Sequence, residues 1–168
     1  MERIERTAIR NLIHNEQYCR KVLPFIKEEY FTDRLEKVLF TEIYKFVNKY
    51  NNLPTKESLS IEINGNKSIN EDEYKQVTDI LSTLNPEPVN LEWLVETTEK
   101  FCKDRSIHNA VLNGIQIIDG KDKNHTLEYL PELLSNALSV SFDQKVGHDY
   151  LLESKERYDY YNRKEERL

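Results

Sequence analysis

Apolar residues recur along most of the chain at the three- or four-residue spacing of amphipathic helices. After Thr32, a candidate N-cap, the apolar positions up to residue 50 are Leu35, Val38, Leu39, Ile43, Phe46, Val47 and Tyr50. The segment Asn51-Asn52-Leu53-Pro54 predicts the end of that helix. The same spacing over 4–26 predicts two helices that are separated at Asn15, because asparagine favours helix ends.

Two further helices are predicted from their start signals. Thr55 precedes a segment with Leu59, Ile61 and Ile63, whose alternation also fits a short strand, but the start signal favours a helix. Asn70, with Glu73 three residues later, has the form of a capping box for a helix that runs to about residue 84. Asn85-Pro86-Glu87-Pro88 then marks the clearest boundary in the chain.

The longest periodic segment runs from about 91 to 118. Its predicted apolar stripe consists of Leu94, Phe101, His108, Val111, Ile115 and Ile118. Such a helix would be about 40 Å long. A polar turn at 120–124 and Pro131 at a helix start predict a second, shorter helix with Leu133, Leu134, Ala137 and Leu138. Two helices joined by a short loop predict an antiparallel hairpin.

Beyond Gly147 the chain is rich in charges of both signs, with a narrow apolar strip of Tyr150, Leu151, Tyr158 and Tyr161. This pattern indicates a helix that docks on a partner, or else a solvated tail. The predicted fold is therefore all-α: a small helical-bundle head over 1–85, a long antiparallel helical hairpin over 90–142, and a linker region with a C-terminal helix over 143–168. No internal repeat is evident.

Composition and charge narrow the function. The net charge is −6, which argues against tight binding to nucleic-acid backbones and is typical of a protein that meets other proteins. Cys19 and Cys102 lie far apart in apolar surroundings, as expected for reduced core residues of a cytoplasmic protein. No apolar run reaches the roughly 20 residues of a membrane span, so no membrane partner is expected.

The sequence contains no recognisable catalytic constellation, and we expect no enzymatic activity, metal or cofactor in it. Its four glycines lack the spacing of a phosphate-binding Walker A loop, and its four histidines are scattered. Cys102 and His108 would lie on different faces of one helix. Trp93 is either a buried anchor or an exposed contact. Lys100, Lys103 and Arg105 form a modest basic cluster, most simply a solvated face.

Four stretches, in this order and spacing, resemble the N-terminal domain of DnaB-type replicative helicases, in particular those of T-even-type phages. They are Leu12-Ile13-His14-Asn15-Glu16-Gln17-Tyr18 with Val22-Leu23-Pro24 and Glu29-Tyr30-Phe31; Val47-Asn48-Lys49-Tyr50-Asn51-Asn52-Leu53-Pro54-Thr55; Trp93-Leu94-Val95-Glu96-Thr97-Thr98-Glu99-Lys100-Phe101; and Ala137-Leu138-Ser139-Val140-Ser141-Phe142-Asp143 with Val146-Gly147-His148-Asp149-Tyr150.

The resemblance implies a role in assembly. In that family the domain forms a collar on a ring hexamer, docks primase, and is joined by a linker helix to an ATPase domain that moves along single-stranded DNA. ATP and magnesium would bind in that absent motor, and the full-length protein would be an ATP-dependent 5′–3′ helicase in the host cytoplasm. Expected partners are further copies of the chain, from dimer to hexamer, phage primase and a helicase loader. Single-stranded DNA would be contacted mainly through the full-length ring.

The residues expected at interfaces come from the hairpin stripe and the linker strip. They are Trp93, Phe101, Val111, Ile115, Ile118, Leu134, Leu138, Tyr150, Leu151, Tyr158 and Tyr161. The alternative interpretation is a free-standing helical adaptor, such as a helicase loader or inhibitor. A small helical enzyme is a third interpretation, which no arrangement of residues supports.

Overall fold

Helices form the fold throughout residues 3–142, the part of the chain that the computed structural model describes. No strand occurs in this range, and the prediction of an all-α protein is confirmed. The helices are α1 (Ile4–His14), α2 (Glu16–Val22), α3 (Arg34–Tyr50), α4 (Lys56–Asn64), α5 (Glu71–Thr83), α6 (Leu91–Ile118) and α7 (Leu130–Leu138), with short 3₁₀ turns at Glu28–Tyr30 and Leu127–Tyr129. The predicted linker helix falls outside the described residues.

Side-chain caps set most of the helix starts. The Asn15 side chain accepts a hydrogen bond from the Tyr18 amide and separates α1 from α2, as predicted. Reciprocal capping boxes begin α4 at Thr55 and α5 at Asn70, so residues 56–64 are helical and not a strand. Thr32 is not the cap of α3. Asp33 takes that role, because its carboxylate accepts from the amides of both Leu35 and Glu36.

The core is built around aromatic side chains that lie between the helices. Phe31, which follows the first 3₁₀ turn, packs against Phe40 of α3 with ring centroids 5.1 Å apart and against Phe101 of α6 at 6.0 Å. Tyr18 and Tyr30 are buried beside them. The first half of α6 therefore completes the core that α1–α5 begin, and the 1–85 segment shares its core with the segment that follows.

Buried polar contacts fix how the helices meet. The Thr98 hydroxyl donates to the Leu94 carbonyl at 2.7 Å, so the Tyr18 hydroxyl must donate the 2.7 Å bond that joins it to Thr98. This bond links α2 to α6. Glu36 on α3 is fully buried and accepts from the guanidinium groups of Arg3 and Arg6, which ties the start of the chain to α3.

The second half of α6 leaves the core and packs on α7. Ala110, Gly114 and Ile117 are its buried residues there. A Cβ at Gly114 would lie 3.2 Å from the Leu130 side chain, so the absence of a side chain allows this close approach. After α7 the chain returns to the core, where Phe142 stacks on Phe25 with centroids 5.1 Å apart.

Candidate assembly surface

The outer face of α6 beyond the core carries a row of exposed apolar side chains. Val111, Ile115 and Ile118 are 49%, 45% and 62% exposed, and Ile107 begins the same row. Their spacing of four, four and three residues places them on one face, separate from the buried row that faces α7. We call Ile107, Val111, Ile115 and Ile118 the outer row.

The helix α7 and the turn before it also carry exposed apolar side chains. Leu134 and Leu138, four residues apart, are 40% and 69% exposed, while Ala137 between them faces α6 and is buried. Two exposed leucines, Leu112 and Leu127, were not expected from the sequence. Leu112 is not part of the predicted stripe, and Leu127 precedes the predicted helix. We call the outer row with these four leucines the α6–α7 surface.

Phe101 does not lie on this surface, and its interpretation as an interface residue is corrected. It is buried, and its ring meets Phe31 edge-on at the core. The single stripe predicted along α6 instead divides between two faces. Leu94 and Phe101 turn towards the core, whereas Val111, Ile115 and Ile118 turn outwards. The division arises because α6 has two different packing partners along its length.

Trp93 is exposed and not a core anchor. Its side chain is 54% accessible, near the start of α6, where Asn90 caps the helix. Eighteen residues, or five turns, separate it from Val111, so both project from the same side of α6 about 27 Å apart. The other candidates, Tyr150, Leu151, Tyr158 and Tyr161, lie outside the described residues.

The basic cluster of α6 is largely paired within the helix. Lys100 pairs with Asp104 at 2.8 Å, and Lys103 pairs with Glu99 at 3.2 Å. The Arg105 guanidinium donates to the Tyr30 carbonyl and helps to hold α6 on the core. The basic cluster is thus occupied by local contacts.

The described residues hold no grouping of three or more histidine, cysteine or acidic side chains that could bind a metal ion. Burial raises the pKa of the Cys19 thiol to about 11 and that of Cys102 to about 12, which keeps both protonated and weakly nucleophilic near neutral pH. None of the helices in residues 3–142 has the length and apolarity needed to cross a membrane.

Comparison with known proteins relates the chain to a phage protein. The chain is 33% identical to a "DnaB-like replicative helicase" of Enterobacteria phage T4, over 84% of this chain and 31% of that protein. It therefore spans less than a third of the relative's length. No family model matches the chain. The resemblance expected from the sequence is thus confirmed: the chain is similar to part of a DnaB-like replicative helicase of a T-even phage.

Proposed function

We propose that the chain is the N-terminal assembly domain of a replicative helicase, and that it joins subunits into the collar of a hexameric ring. The α6–α7 surface carries this proposal. Its outer row stays exposed although the same helix buries Phe101 in the core and Ala110 and Gly114 against α7. Contiguous exposed apolar side chains of this kind mark protein interfaces, and burying them between copies of the chain removes their cost in water.

The wider role follows from the relationship to the phage helicase. We infer that the collar docks primase and receives a helicase loader. We also infer that residues 143–168 lead to an ATPase domain that binds ATP and magnesium and drives 5′–3′ unwinding in the host cytoplasm. Single-stranded DNA would be held mainly by the full-length ring. The chain itself would contribute geometry and binding free energy, because linked copies raise the effective concentration of primase at the ring.

Two measurements test the proposal. Light scattering coupled to gel filtration should give a mass above 20.0 kDa, the mass of one chain, and the mass should rise with concentration. Co-elution with the primase of the same phage should be detectable with the assembled form. A strictly monomeric chain at high micromolar concentration would contradict the assembly role. Primase binding without self-association would instead favour the free-standing adaptor.

The reading frame that follows residue 168 gives an independent test. A Walker A loop encoded within a few dozen residues is expected if the chain is the collar of a helicase. A stop codon directly after residue 168 would favour the adaptor and leave the relationship in sequence unchanged.

A further inference from the structure

The second half of α6, the turn after it and α7 project from the core, and the chain then returns to it. Between Cys102 and Val140, no side chain of the described chain belongs to the apolar core. The buried side chains of this stretch, such as Ala110, Gly114 and Ala137, lie where α6 and α7 pack on each other. We call residues 110–138 the arm. Its position relative to the core therefore depends on the contacts at its two ends.

Side chains of α6 attach the first end of the arm to the 3₁₀ turn at Glu28–Tyr30. Arg105 Nε donates to the Tyr30 carbonyl at 3.1 Å, and Asn109 Nδ2 donates to the Glu29 carbonyl at 2.9 Å. Arg105 Nη2 also donates to Asn109 Oδ1 at 3.4 Å, so the two side chains orient each other. The hydroxyls of Tyr30 and Ser106 bond beside them. One turn of α6 thus binds two successive carbonyls, which fixes where α6 crosses this segment.

The second end of the arm is attached to the same part of the chain. Phe142 follows α7, which ends at Leu138, and its ring stacks on Phe25 with centroids 5.1 Å apart. Phe25 lies just before the 3₁₀ turn that binds Arg105 and Asn109. Both ends of the arm are therefore held by residues 25–30.

Residues 25–30 are themselves fixed to the core. Ile26 and Tyr30 are buried. The Thr41 hydroxyl of α3 donates to the Glu28 carboxylate at 2.7 Å. Phe31, the next residue, packs between α3 and α6. The segment is thus a fixed part of the core against which both ends of the arm are positioned.

We propose that residues 25–30 set the direction of the arm, and that loss of either attachment lets the arm swing about α6 near Asn109. Long helices bend over their length, so contacts at the point where α6 leaves the core limit that bending. From Asn109 to Ile118, α6 rises about 14 Å. A bend of about 20° at Asn109 would move the far end of α6 by about 5 Å. Every contact lies within one chain, so this inference does not rest on the proposed collar.

Pulsed electron–electron double resonance in the full chain tests the proposal. Spin labels at Lys75→Cys on α5 and Lys123→Cys in the turn after α6 report the distance from the core to the end of the arm. Both lysines are exposed. The native thiols are buried and have raised pKa values, so they do not take the label. An excess of unlabelled chain restricts the measurement to distances within one molecule.

Each attachment has a variant and a matched control. Arg105→Leu with Asn109→Leu removes the first attachment, and its control is Asn113→Leu with Gln116→Leu, at exposed positions further along α6. Phe142→Ala removes the second attachment. Its control is Leu138→Ala, which shortens a side chain that is 69% exposed.

The natural chain and both controls should give one narrow distribution of distances. Each attachment variant should widen it by about 5 Å, the displacement from a bend of about 20°, with unchanged helicity by circular dichroism. An unchanged width without the first attachment would overturn the proposal, because the stiffness of α6 alone would then set the direction. An unchanged width for Phe142→Ala would overturn it as well. Loss of helicity in either variant would also contradict it, because that contact would then belong to the core that folds the chain.

Discussion

Replacing Ile115 with aspartate should break self-association while leaving the fold intact. Ile115 lies in the middle of the outer row and is 45% exposed, whereas the side chains that hold α6 in place lie on its other faces. A carboxylate at this position can remain in water in the single chain. In an assembly that covers the outer row, the same carboxylate would lose its water.

The structure sets the size of the effect. Complete burial of an isoleucine side chain stabilises by about 1.5–3 kcal/mol. Covering the 45% of Ile115 that is still exposed should therefore contribute roughly 1 kcal/mol per copy. In a symmetric pair both copies lose this contribution of Ile115. Each buried carboxylate then costs about 1–3 kcal/mol more. A total of at least about 3 kcal/mol corresponds to a weakening of association by about 100-fold or more.

Sedimentation equilibrium should show a mass near that of one chain for Ile115→Asp at concentrations where the natural chain associates. Circular dichroism should show unchanged helicity. The matched control is Ile61→Asp on α4, which makes the same chemical change at a position 72% exposed and away from α6. We expect this control to associate normally. If both variants keep the natural mass, or if both lose it equally, the α6–α7 surface is not the specific interface.

Three further predictions concern stability, each measured by urea denaturation. Gly114→Val should destabilise the protein by about 1–3 kcal/mol, because a side chain there meets Leu130, whereas the exposed control Asn113→Val should have little effect. Thr98→Val should cost about 1–3 kcal/mol by leaving the buried Tyr18 hydroxyl without its acceptor, and adding Tyr18→Phe should recover part of that loss. Stability should fall as the pH rises from about 9 to 11. The unfolded chain loses thiol protons there, while burial keeps the Cys102 pKa at about 12. Cys102→Ala should make this fall in stability with pH less steep. An unchanged dependence on pH would refute its assignment to the Cys102 thiol.

Local signals in the sequence predicted much of the fold. The helix start at Thr55, the capping box at Asn70 and the break at Asn15 are predicted correctly, because each depends on residues three positions apart or fewer. The end of α3 at Tyr50 is likewise predicted by the Asn51-Asn52-Leu53-Pro54 segment. The prediction of Thr32 as the cap of α3 was wrong, because Thr32 and the adjacent Asp33 both have side chains that can cap a helix. Only the three-dimensional geometry shows that the Asp33 carboxylate reaches two amides.

The candidate surface was predicted less well, because exposure depends on which elements pack together. Val111, Ile115 and Phe101 share helical spacing, and the sequence gives no reason to assign them to different faces. Phe101 is covered by Phe31, a residue 70 positions earlier in the chain, so its burial is a long-range property. Trp93 shows the same limit. An isolated aromatic on a helix fits either a core or a surface position until its neighbours are known.

Small residues in α6 indicate which face packs on α7, and the spacing of large apolar residues does not contain this information. A helix that packs on two partners must turn a second face inwards, and on the far half of α6 that face is Ala110 and Gly114, four residues apart. Neither is a strong apolar residue, yet their small size lets α7 approach closely. Once these two positions are assigned to α7, the larger side chains at Val111 and Ile115 cannot face α7 as well. Their exposure then follows from the geometry of one helix.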